Sequence, residues 1–427
     1  MADANVAGGD LTGLPAAAPE TDRSAIRLLT WASAIFTALT AAYYLGTISW
    51  SCGFPRDATT LVVGRDFLNF WMYGRAAWMA DPGQFYDPRV YQHTLGVLLG
   101  AHYPGQNWSY PPSIMLVAAP FGRVPYLPAL LCWTILSLVI FVWVVRRQLD
   151  ERRLLIPILL SPAAIFCLIS GQSSFLTAAA LLTIFACLDR RPLLAGVLIG
   201  ALTLKPQLGL LLPVMLVASS RWRVFTSAVV TALVIAGVAA AVFGPETWSD
   251  FVLKGLPVQN LVLADPARIA TSFHATIFMN VYGAGASYRL AMIIQIFFSA
   301  FAVAAVFFAF RSRRDADPQL LTALFFACSI CLVPYLLSYD TLPMTCLAVI
   351  LLASGRLDSR GQVLAKLMYW LPLIQMVLGQ FHIPGPALIP PAFALYALMQ
   401  LGARSGPVRA TTQIMSARNP SNTLSQC

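Results

Sequence analysis

Long apolar segments without charges recur along almost the whole chain, and they constrain its fold more than any other feature. Many of them are too long and too uncharged for the helices of a soluble core. Inside a bilayer every backbone polar group must be hydrogen-bonded within the protein, which leaves α-helices and closed β-barrels. The segments are continuous rather than alternating, which argues against a barrel. The sequence therefore predicts an all-α polytopic membrane protein.

About twelve membrane-spanning helices are predicted, with a long structured outer loop after the first. Several have only about 13–15 residues, whereas a crossing needs ~20, so one pair of them is also compatible with a re-entrant hairpin. The membrane domain is expected at residues 26–402, between a disordered cytoplasmic tail, 1–25, and a second cytoplasmic tail, 403–427. The predicted spans are residues 26–48, 126–145, 154–170, 174–188, 192–204, 206–220, 224–243, 288–310, 318–337, 341–354, 364–380 and 386–402.

Basic residues cluster at alternate connections between the predicted spans. We interpret these clusters as topology signals, so the net charge of +10 does not indicate that the protein binds nucleic acid. The positive-inside rule places these connections and both termini in the cytoplasm, for a protein of the plasma (inner) membrane. The outer side then carries two long loops, 49–125 and 244–287, and all four histidines. Because function concentrates on loops that a rigid scaffold holds, we expect the active site to face outside.

Cysteines and paired acids indicate neither a disulfide framework nor a metal site. Cys328 and Cys331 form a C-x-x-C pair inside a predicted span and are interpreted as small buried apolar residues. Asp315 and Asp317 form an Asp-x-Asp sequence beside basic residues in a predicted cytoplasmic loop, where solvated charges explain them. We therefore expect no metal and no cofactor.

The first outer loop contains the segment GRDFLNFWMYGRAAW, residues 64–78. On a helix, Asp66, Asn69 and Tyr73 share one side, and aromatic residues occupy another. We expect the aromatic side to dock at the membrane interface and the polar side to face a cavity. Asp66 has two interpretations at this point, as a residue that caps the helix or as a functional carboxylate.

A series of segments, in order along the chain, resembles glycosyltransferase family 87. The segments are GRDFLNFW, QFYDP, SYPP followed by an apolar run and AAPFGRVP, SGQSSFL, AGVLIGALTLKPQ, SRWRVF and a late YD pair. The likeness covers roughly residues 25–345. That family belongs to the GT-C class of membrane glycosyltransferases and includes polyprenyl-phosphate-mannose-dependent mannosyltransferases. The resemblance implies a dozen or so helices, a lipid-phosphate sugar donor and a catalytic aspartate in the first outer loop, which falls on Asp66.

Transfer from a polyprenyl phosphate needs one base and groups that hold the departing phosphate, because phosphate is already a good leaving group. A glycoside hydrolase would instead need two carboxylates. We expect Asp66 to deprotonate the acceptor hydroxyl in one inverting displacement. Lys205 either snorkels from a helix end or binds the phosphate with the N-terminal amides of helix 206–220. His274 or Arg65 would assist Lys205.

The other candidates each have a structural interpretation beside the functional one. Tyr110 and Gln172 are either structural hydrogen-bonding residues or sugar contacts, and Asp340 either caps helix 341–354 or contacts substrate. The predicted partners are the polyprenyl-phosphate sugar donor (mannose or another hexose or pentose), a lipid or glycan acceptor, and membrane lipids. The alternative function is a transporter or flippase of a lipid-linked or small polar solute. A non-catalytic membrane scaffold is a third possibility.

Overall fold

The computed structural model describes residues 23–104, 106–149, 151–258, 263, 271–312 and 316–403. The predicted tails lie outside these ranges, except that the first helix already begins at Arg23. The described residues form eighteen α-helices and one antiparallel hairpin, Ser49–Ser51 with Phe54–Arg56. The helices are α1 (Arg23–Gly46), α2 (Arg65–Ala76), α3 (Pro88–Leu99), α4 (Ile114–Gly122), α5 (Tyr126–Arg146), α6 (Leu155–Leu159), α7 (Pro162–Ser170), α8 (Ser174–Cys187), α9 (Pro192–Ala201), α10 (Leu212–Ala218), α11 (Trp222–Phe243), α12 (Pro245–Asp250), α13 (Ile277–Gly283), α14 (Tyr288–Ser312), α15 (Pro318–Leu332), α16 (Leu342–Ala353), α17 (Ser359–Gln380) and α18 (Ile389–Ala403).

Five helices in the described part of the chain, α1, α5, α11, α14 and α17, are long and apolar enough to cross a membrane. A sixth crossing would be formed by α6 and α7 together, which are bent by 58° where Pro162 starts the second helix. The chain is therefore a polytopic helical membrane protein. Helix length supports five or six crossings rather than the twelve expected, because the other apolar segments form shorter helices.

The apolar composition of two short helices, α15 and α16, is explained by burial within the protein rather than by contact with lipid. In α15 the side chains of Leu324, Phe325 and Cys328 are fully buried, and α16 has the same character at Cys346 and Val349. These helices lie inside the main hydrophobic core. Apolar composition therefore does not by itself show that a helix crosses the bilayer in this protein.

The predicted first outer loop is a packed unit of its own, built on the crossing of α2 and α4. Gly74 and Gly122 bring the two helix backbones together so closely that a Cβ on Gly74 would lie 2.3 Å from the carbonyl oxygen of Ala118. The prediction that the aromatic side of α2 docks on the membrane is wrong. Phe67 is buried against Phe121 and Trp71 against Phe54, both in the loop, and each also packs on Tyr126 at the start of α5.

Candidate active site

The Asp66 carboxylate lies in the first turn of α2 and is held by two side chains from distant parts of the chain. The Tyr339 hydroxyl donates to Asp66 Oδ2 at 2.7 Å, and the Gln172 amide Nε2 donates to the same oxygen at 3.4 Å. Gln172 Nε2 also donates to the Tyr339 hydroxyl at 3.1 Å. The capping interpretation of Asp66 is wrong, because Gly64 is the N-cap and no side chain caps α2.

A close backbone approach explains how Asp66 and Gln172 meet. Gly171 ends α7 in the left-handed conformation, with φ of 65°, which favours glycine. A Cβ on Gly171 would lie 2.8 Å from Cβ of Phe67, so this position also leaves no room for a side chain. The glycine turn therefore places the next residue, Gln172, directly beside the start of α2.

Lys205 and Asp340 form a buried ion pair beside Tyr339, with the Lys205 ammonium 5.4 Å from the centroid of the Tyr339 ring. The ammonium Nζ of Lys205 donates to Asp340 Oδ1 at 2.6 Å, and the Ser174 hydroxyl donates to the same oxygen at 2.6 Å. Lys205 is 4% exposed and Asp340 is 6% exposed. The snorkelling interpretation of Lys205 is therefore wrong. Asp340 does not cap α16 either, because its carboxylate is turned toward Lys205 and no side chain caps that helix.

The predicted helix N-terminus at Lys205 is also wrong. Residues Pro206–Leu208 form a single 3₁₀ turn, and α10 begins only at Leu212. Lys205 itself ends a preceding 3₁₀ turn, Leu202–Leu204, and has φ of −136° and ψ of 73°. The backbone amides expected to join Lys205 at a phosphate therefore do not belong to a continuous helix.

A cavity of about 170 Å³ connects these polar groups with the apolar interior. It extends from Ser173 along α8 to Ala180, and from Lys205 through the 3₁₀ turn Leu202–Leu204 to Ala201 and Leu198 of α9, which on each side is about two helical turns. Apart from Thr177, its polar side chains lie near Ser173 and Lys205, where Tyr110 interacts with Asp66, Gln172 and Lys205, and apolar side chains line the remainder. The cavity is lined by Asp66, Phe70, Tyr110, Ile114, Val117, Trp133, Gly171, Gln172, Ser173, Leu176, Thr177, Ala180, Leu198, Ala201, Leu202, Leu204 and Lys205.

Burial changes the acidity of two groups at the polar end. It raises the pKa of the Asp66 carboxyl above its usual range, and the hydrogen bond from Tyr339 and the positive charges of Arg65 and Lys205 offset this only in part. Burial likewise raises the pKa of the Tyr110 phenol, so that this hydroxyl stays protonated and remains a hydrogen-bond donor. Asp66 is thus a stronger base than an ordinary surface carboxylate.

Asn69 and Tyr73 do not line the cavity with Asp66. Asn69 Nδ2 donates to the Asn107 carbonyl at 3.2 Å, and its Oδ1 accepts a hydrogen bond from Tyr91. The Tyr73 hydroxyl accepts from the backbone N–H of Tyr110 at 2.8 Å. Both side chains therefore hold the segment that carries Tyr110 against α2.

Arg65 and His274 also lie beside the cavity rather than on its wall. Arg65 forms an ion pair with Asp57 at 3.3 Å and extends over the ring of Phe273. The His274 ring packs on the Tyr335 ring with centroids 4.8 Å apart, and the backbone of His274 pairs with Leu337 in an isolated antiparallel bridge. His274 thus lies where the second outer loop supports the segment that leads into Tyr339.

Asp317, one half of the Asp-x-Asp sequence predicted to be cytoplasmic, has a structural role. Its Oδ1 accepts from the backbone N–H of Gln319 at 2.9 Å and caps α15, and its Oδ2 pairs with Arg356 at 3.2 Å. Asp315 lies outside the described residues. Within the described ranges, no three His, Cys, Asp or Glu side chains are grouped as metal ligands would be.

The description of the matching family model is glycosyltransferase family 87, and the match covers residues 108–338, more than half of the chain. The chain belongs to glycosyltransferase family 87. Membership together with the apolar helices identifies it as a membrane glycosyltransferase. No curated protein and no solved structure matches this family 87 chain.

The family 87 match includes Tyr110, Gln172 and Lys205 on the cavity wall, but it begins after Asp66 and ends immediately before Tyr339. The contact between Asp66 and Tyr339 thus joins residues on the two flanks of the matched region. Our sequence analysis missed Tyr339 and Ser174 as members of the site. Their only signal was the late YD pair and the SGQSSFL segment, which carried the family resemblance without indicating which side chains meet.

Proposed function

We propose that this protein transfers a sugar from a polyprenyl-phosphate donor to a hydroxyl group of a lipid or glycan acceptor. The observation that carries the proposal is the cavity, which joins a cluster of polar side chains to an apolar channel between α8 and α9. A polyprenyl-phosphate sugar has the same division, with a polar sugar phosphate at one end and a hydrocarbon chain at the other. A family 87 glycosyltransferase needs such a donor site beside a base.

Lys205 is the proposed contact for the donor phosphate. Lys205 lines the cavity, and its ammonium group donates to Asp340, whose carboxylate is held in turn by the Ser174 hydroxyl. As the bond from the sugar to phosphate breaks, negative charge grows on the departing oxygen, and a fixed cation in a low-dielectric site stabilises that charge. Tyr110, which also lines the cavity, supplies a neutral hydrogen-bond donor at the same end.

Asp66 is the proposed general base of a single inverting displacement. The acceptor oxygen attacks the anomeric carbon, the bond from that carbon to the phosphate oxygen breaks, and its electrons leave with the phosphate. The acceptor proton passes to Asp66, whose raised pKa makes the carboxylate a better proton acceptor for this step. No second carboxylate is needed, because the phosphate leaves without protonation.

We further infer that the site opens to the outer face of the plasma membrane and that both termini are cytoplasmic, in agreement with the positive-inside rule. In this arrangement the shorter apolar helices complete about twelve membrane segments around the site. Residues 26–402 then form one membrane domain between the two terminal tails.

Transfer by the purified protein in liposomes tests the proposal. Polyprenyl-phosphate mannose and other polyprenyl-phosphate hexoses and pentoses are offered with membrane lipid and glycan extracts, and products are identified by mass spectrometry. Asp66→Asn is expected to lower transfer by about 10²-fold or more. Asp87→Asn is the matched control, because Asp87 caps α3 in the same outer loop and Asn caps about as well.

Wild-type turnover by Asp66→Asn would contradict the assignment of the base. If the lipid-linked sugar crosses the liposome membrane unconsumed, with no glycosylated product for any acceptor, the transporter or flippase alternative is supported instead.

A further inference from the structure

We infer that Tyr339 is the positioning residue for Asp66, and that it fixes the carboxylate so that Oδ1 is the oxygen that takes the acceptor proton. The inference rests on the proposed function of Asp66 as a base. It depends on a chain of hydrogen bonds. In this chain, the donor and acceptor atoms of one bond determine which group donates in the next bond. The chain runs from the backbone N–H of Ser173 through Gln172 and Tyr339 to Asp66.

The Gln172 amide is the starting point, because its orientation is determined by a backbone group. The backbone N–H of Ser173 lies 2.8 Å from Gln172 Oε1, and the Ser173 hydroxyl donates to the same atom at 3.0 Å. A backbone N–H only donates, so the amide atom that faces it must be the oxygen. The amide nitrogen of Gln172 therefore faces Tyr339 and Asp66.

The direction of the Tyr339 hydroxyl follows. Gln172 Nε2 uses one hydrogen toward the Tyr339 oxygen at 3.1 Å and the other toward Asp66 Oδ2 at 3.4 Å. Since the Tyr339 oxygen accepts from Gln172, its own hydrogen is directed at Asp66 Oδ2, 2.7 Å away. Asp66 Oδ2 thus accepts two hydrogen bonds from donors whose positions are set by other contacts.

The second carboxylate oxygen, Oδ1, is the one left for chemistry. Among the residues that the structure describes, no donor lies within hydrogen-bond distance of Asp66 Oδ1, although Asp66 lines the cavity. An oxygen that already accepts two hydrogen bonds is a poor proton acceptor, whereas Oδ1 keeps its lone pairs available. Tyr339 and Gln172 therefore orient the base by occupying its other oxygen.

The charged and titratable groups around Asp66 determine how this arrangement appears in a pH profile. Arg65 and Lys205 favour the ionised carboxylate, Asp340 opposes it, and Tyr339 favours it by donating a hydrogen bond. The phenols of Tyr110 and Tyr335 are neutral neighbours with raised pKa values. Of these groups, only Tyr339 and Gln172 donate hydrogen bonds to the carboxylate.

The pH dependence of transfer by Tyr339→Phe tests the inference. Phenylalanine keeps the ring beside Lys205 but removes the hydrogen bond that lowers the pKa of Asp66. The acidic limb of the rate profile is expected to move to higher pH by about one unit, the scale of one lost hydrogen bond to a charged group. The rate at neutral pH should fall about tenfold or more and recover in part at alkaline pH. Gln172→Met should shift the limb in the same direction but less, since Tyr339 still donates.

Tyr369→Phe is the matched control, because the Tyr369 hydroxyl is also buried and hydrogen-bonded, to Ser33 and to the Pro157 carbonyl at 2.6 Å each. Its acidic limb should coincide with that of the wild type. A Tyr339→Phe protein with an unshifted limb, whether its rate is normal or uniformly reduced, would overturn the positioning role. In that case an inactive Asp66→Asn protein would leave the proposed function standing, whereas an active one would overturn both.

Discussion

Tyr339 and Asp340 are consecutive residues on one short turn, and their side chains contact the two oppositely charged groups of the candidate site. The Tyr339 hydroxyl donates to the Asp66 carboxylate at 2.7 Å, while the Asp340 carboxylate accepts from the Lys205 ammonium at 2.6 Å. The turn, Ser338–Thr341, is itself tied to the second outer loop, because the Ser338 hydroxyl donates to the Phe273 carbonyl at 2.9 Å. A movement of this turn would therefore change both the proposed base and the proposed phosphate contact.

Variants of the buried pair Lys205–Asp340 distinguish a structural role of Lys205 from a role in binding phosphate. Asp340→Asn leaves the Lys205 ammonium buried without its counter-ion, which is expected to cost about 3–5 kcal/mol of stability. The double variant Lys205→Met/Asp340→Asn removes both charges and should recover most of that loss. If Lys205 binds phosphate, the double variant will be stable but inactive. Thermal unfolding and transfer assays on the same preparations check this, and a stable double variant with wild-type transfer would contradict the phosphate role.

Asp66→Asn is expected to raise the stability of the protein at neutral pH while lowering transfer by about 10²-fold or more. The pKa of Asp66 is raised in the folded protein, so folding favours its protonated form. The stability that Asp66 contributes is fully present below its unfolded pKa and is lost as the pH rises through the folded value. At pH 7, above the unfolded pKa of about 3.9, burying the Asp66 carboxyl therefore costs stability that burying an amide does not.

The midpoint of thermal unfolding of Asp66→Asn and wild type, measured between pH 4 and pH 8, checks this expectation. The advantage of the variant should be largest at neutral pH and should narrow on acidification, as the wild-type carboxyl becomes protonated. A variant less stable than the wild type at pH 7 would show that the carboxylate contributes to folding rather than being a costly functional charge.

The sequence allowed some parts of the site to be predicted and not others, for a physical reason. Asp66 and Lys205 are detectable because each is a charged residue in an otherwise apolar or aromatic segment. The contact of Asp66 with Tyr339 joins residues 273 positions apart, and the ion pair of Lys205 with Asp340 joins residues 135 positions apart. No local pattern encodes which of many polar residues will meet at such distances.

Periodicity and hydropathy also did not predict whether the apolar side of a helix contacts lipid or other parts of the protein. The pattern in α2 places Asp66, Asn69 and Tyr73 on one side, but of these only Asp66 lines the cavity, and Tyr73 stacks on Trp108 instead. The pattern also does not distinguish burial in lipid from burial against other aromatic residues. Phe67 and Trp71 belong to the second case. Likewise, α15 is apolar because it lies within the protein core, so hydropathy led to a larger number of expected crossings than helix length supports.

Two exposed positions, one predicted to face outside and one predicted to face the cytoplasm, test the proposed orientation. The native thiol of Cys52 is exposed in the first outer loop. A membrane-impermeant maleimide is expected to label it in intact cells, and Cys52→Ser should lose that labelling. Ser359 is exposed at the start of α17, on the predicted cytoplasmic side. In a background with Cys52→Ser and Cys427→Ser, Ser359→Cys should be labelled only after the cells are permeabilised. The reverse pattern would place the cavity on the cytoplasmic side.

The apolar part of the cavity should limit donor binding. Ala201 lies on its wall in α9, and Ala201→Trp would fill the channel with an indole ring. Val197 is one turn earlier on the same helix, is 44% exposed and does not line the cavity, so Val197→Trp adds the same ring to the outer surface. If the hydrocarbon chain of the donor lies between α8 and α9, Ala201→Trp should raise KM for a polyprenyl-phosphate sugar by about tenfold. This corresponds to ~1.4 kcal/mol of lost binding. The KM of Val197→Trp should stay near that of the wild type.

A truncated donor with a chain too short to reach Ala201 should be used equally well by all three proteins. Equal KM values for the long donor in both tryptophan variants would show that the chain lies elsewhere.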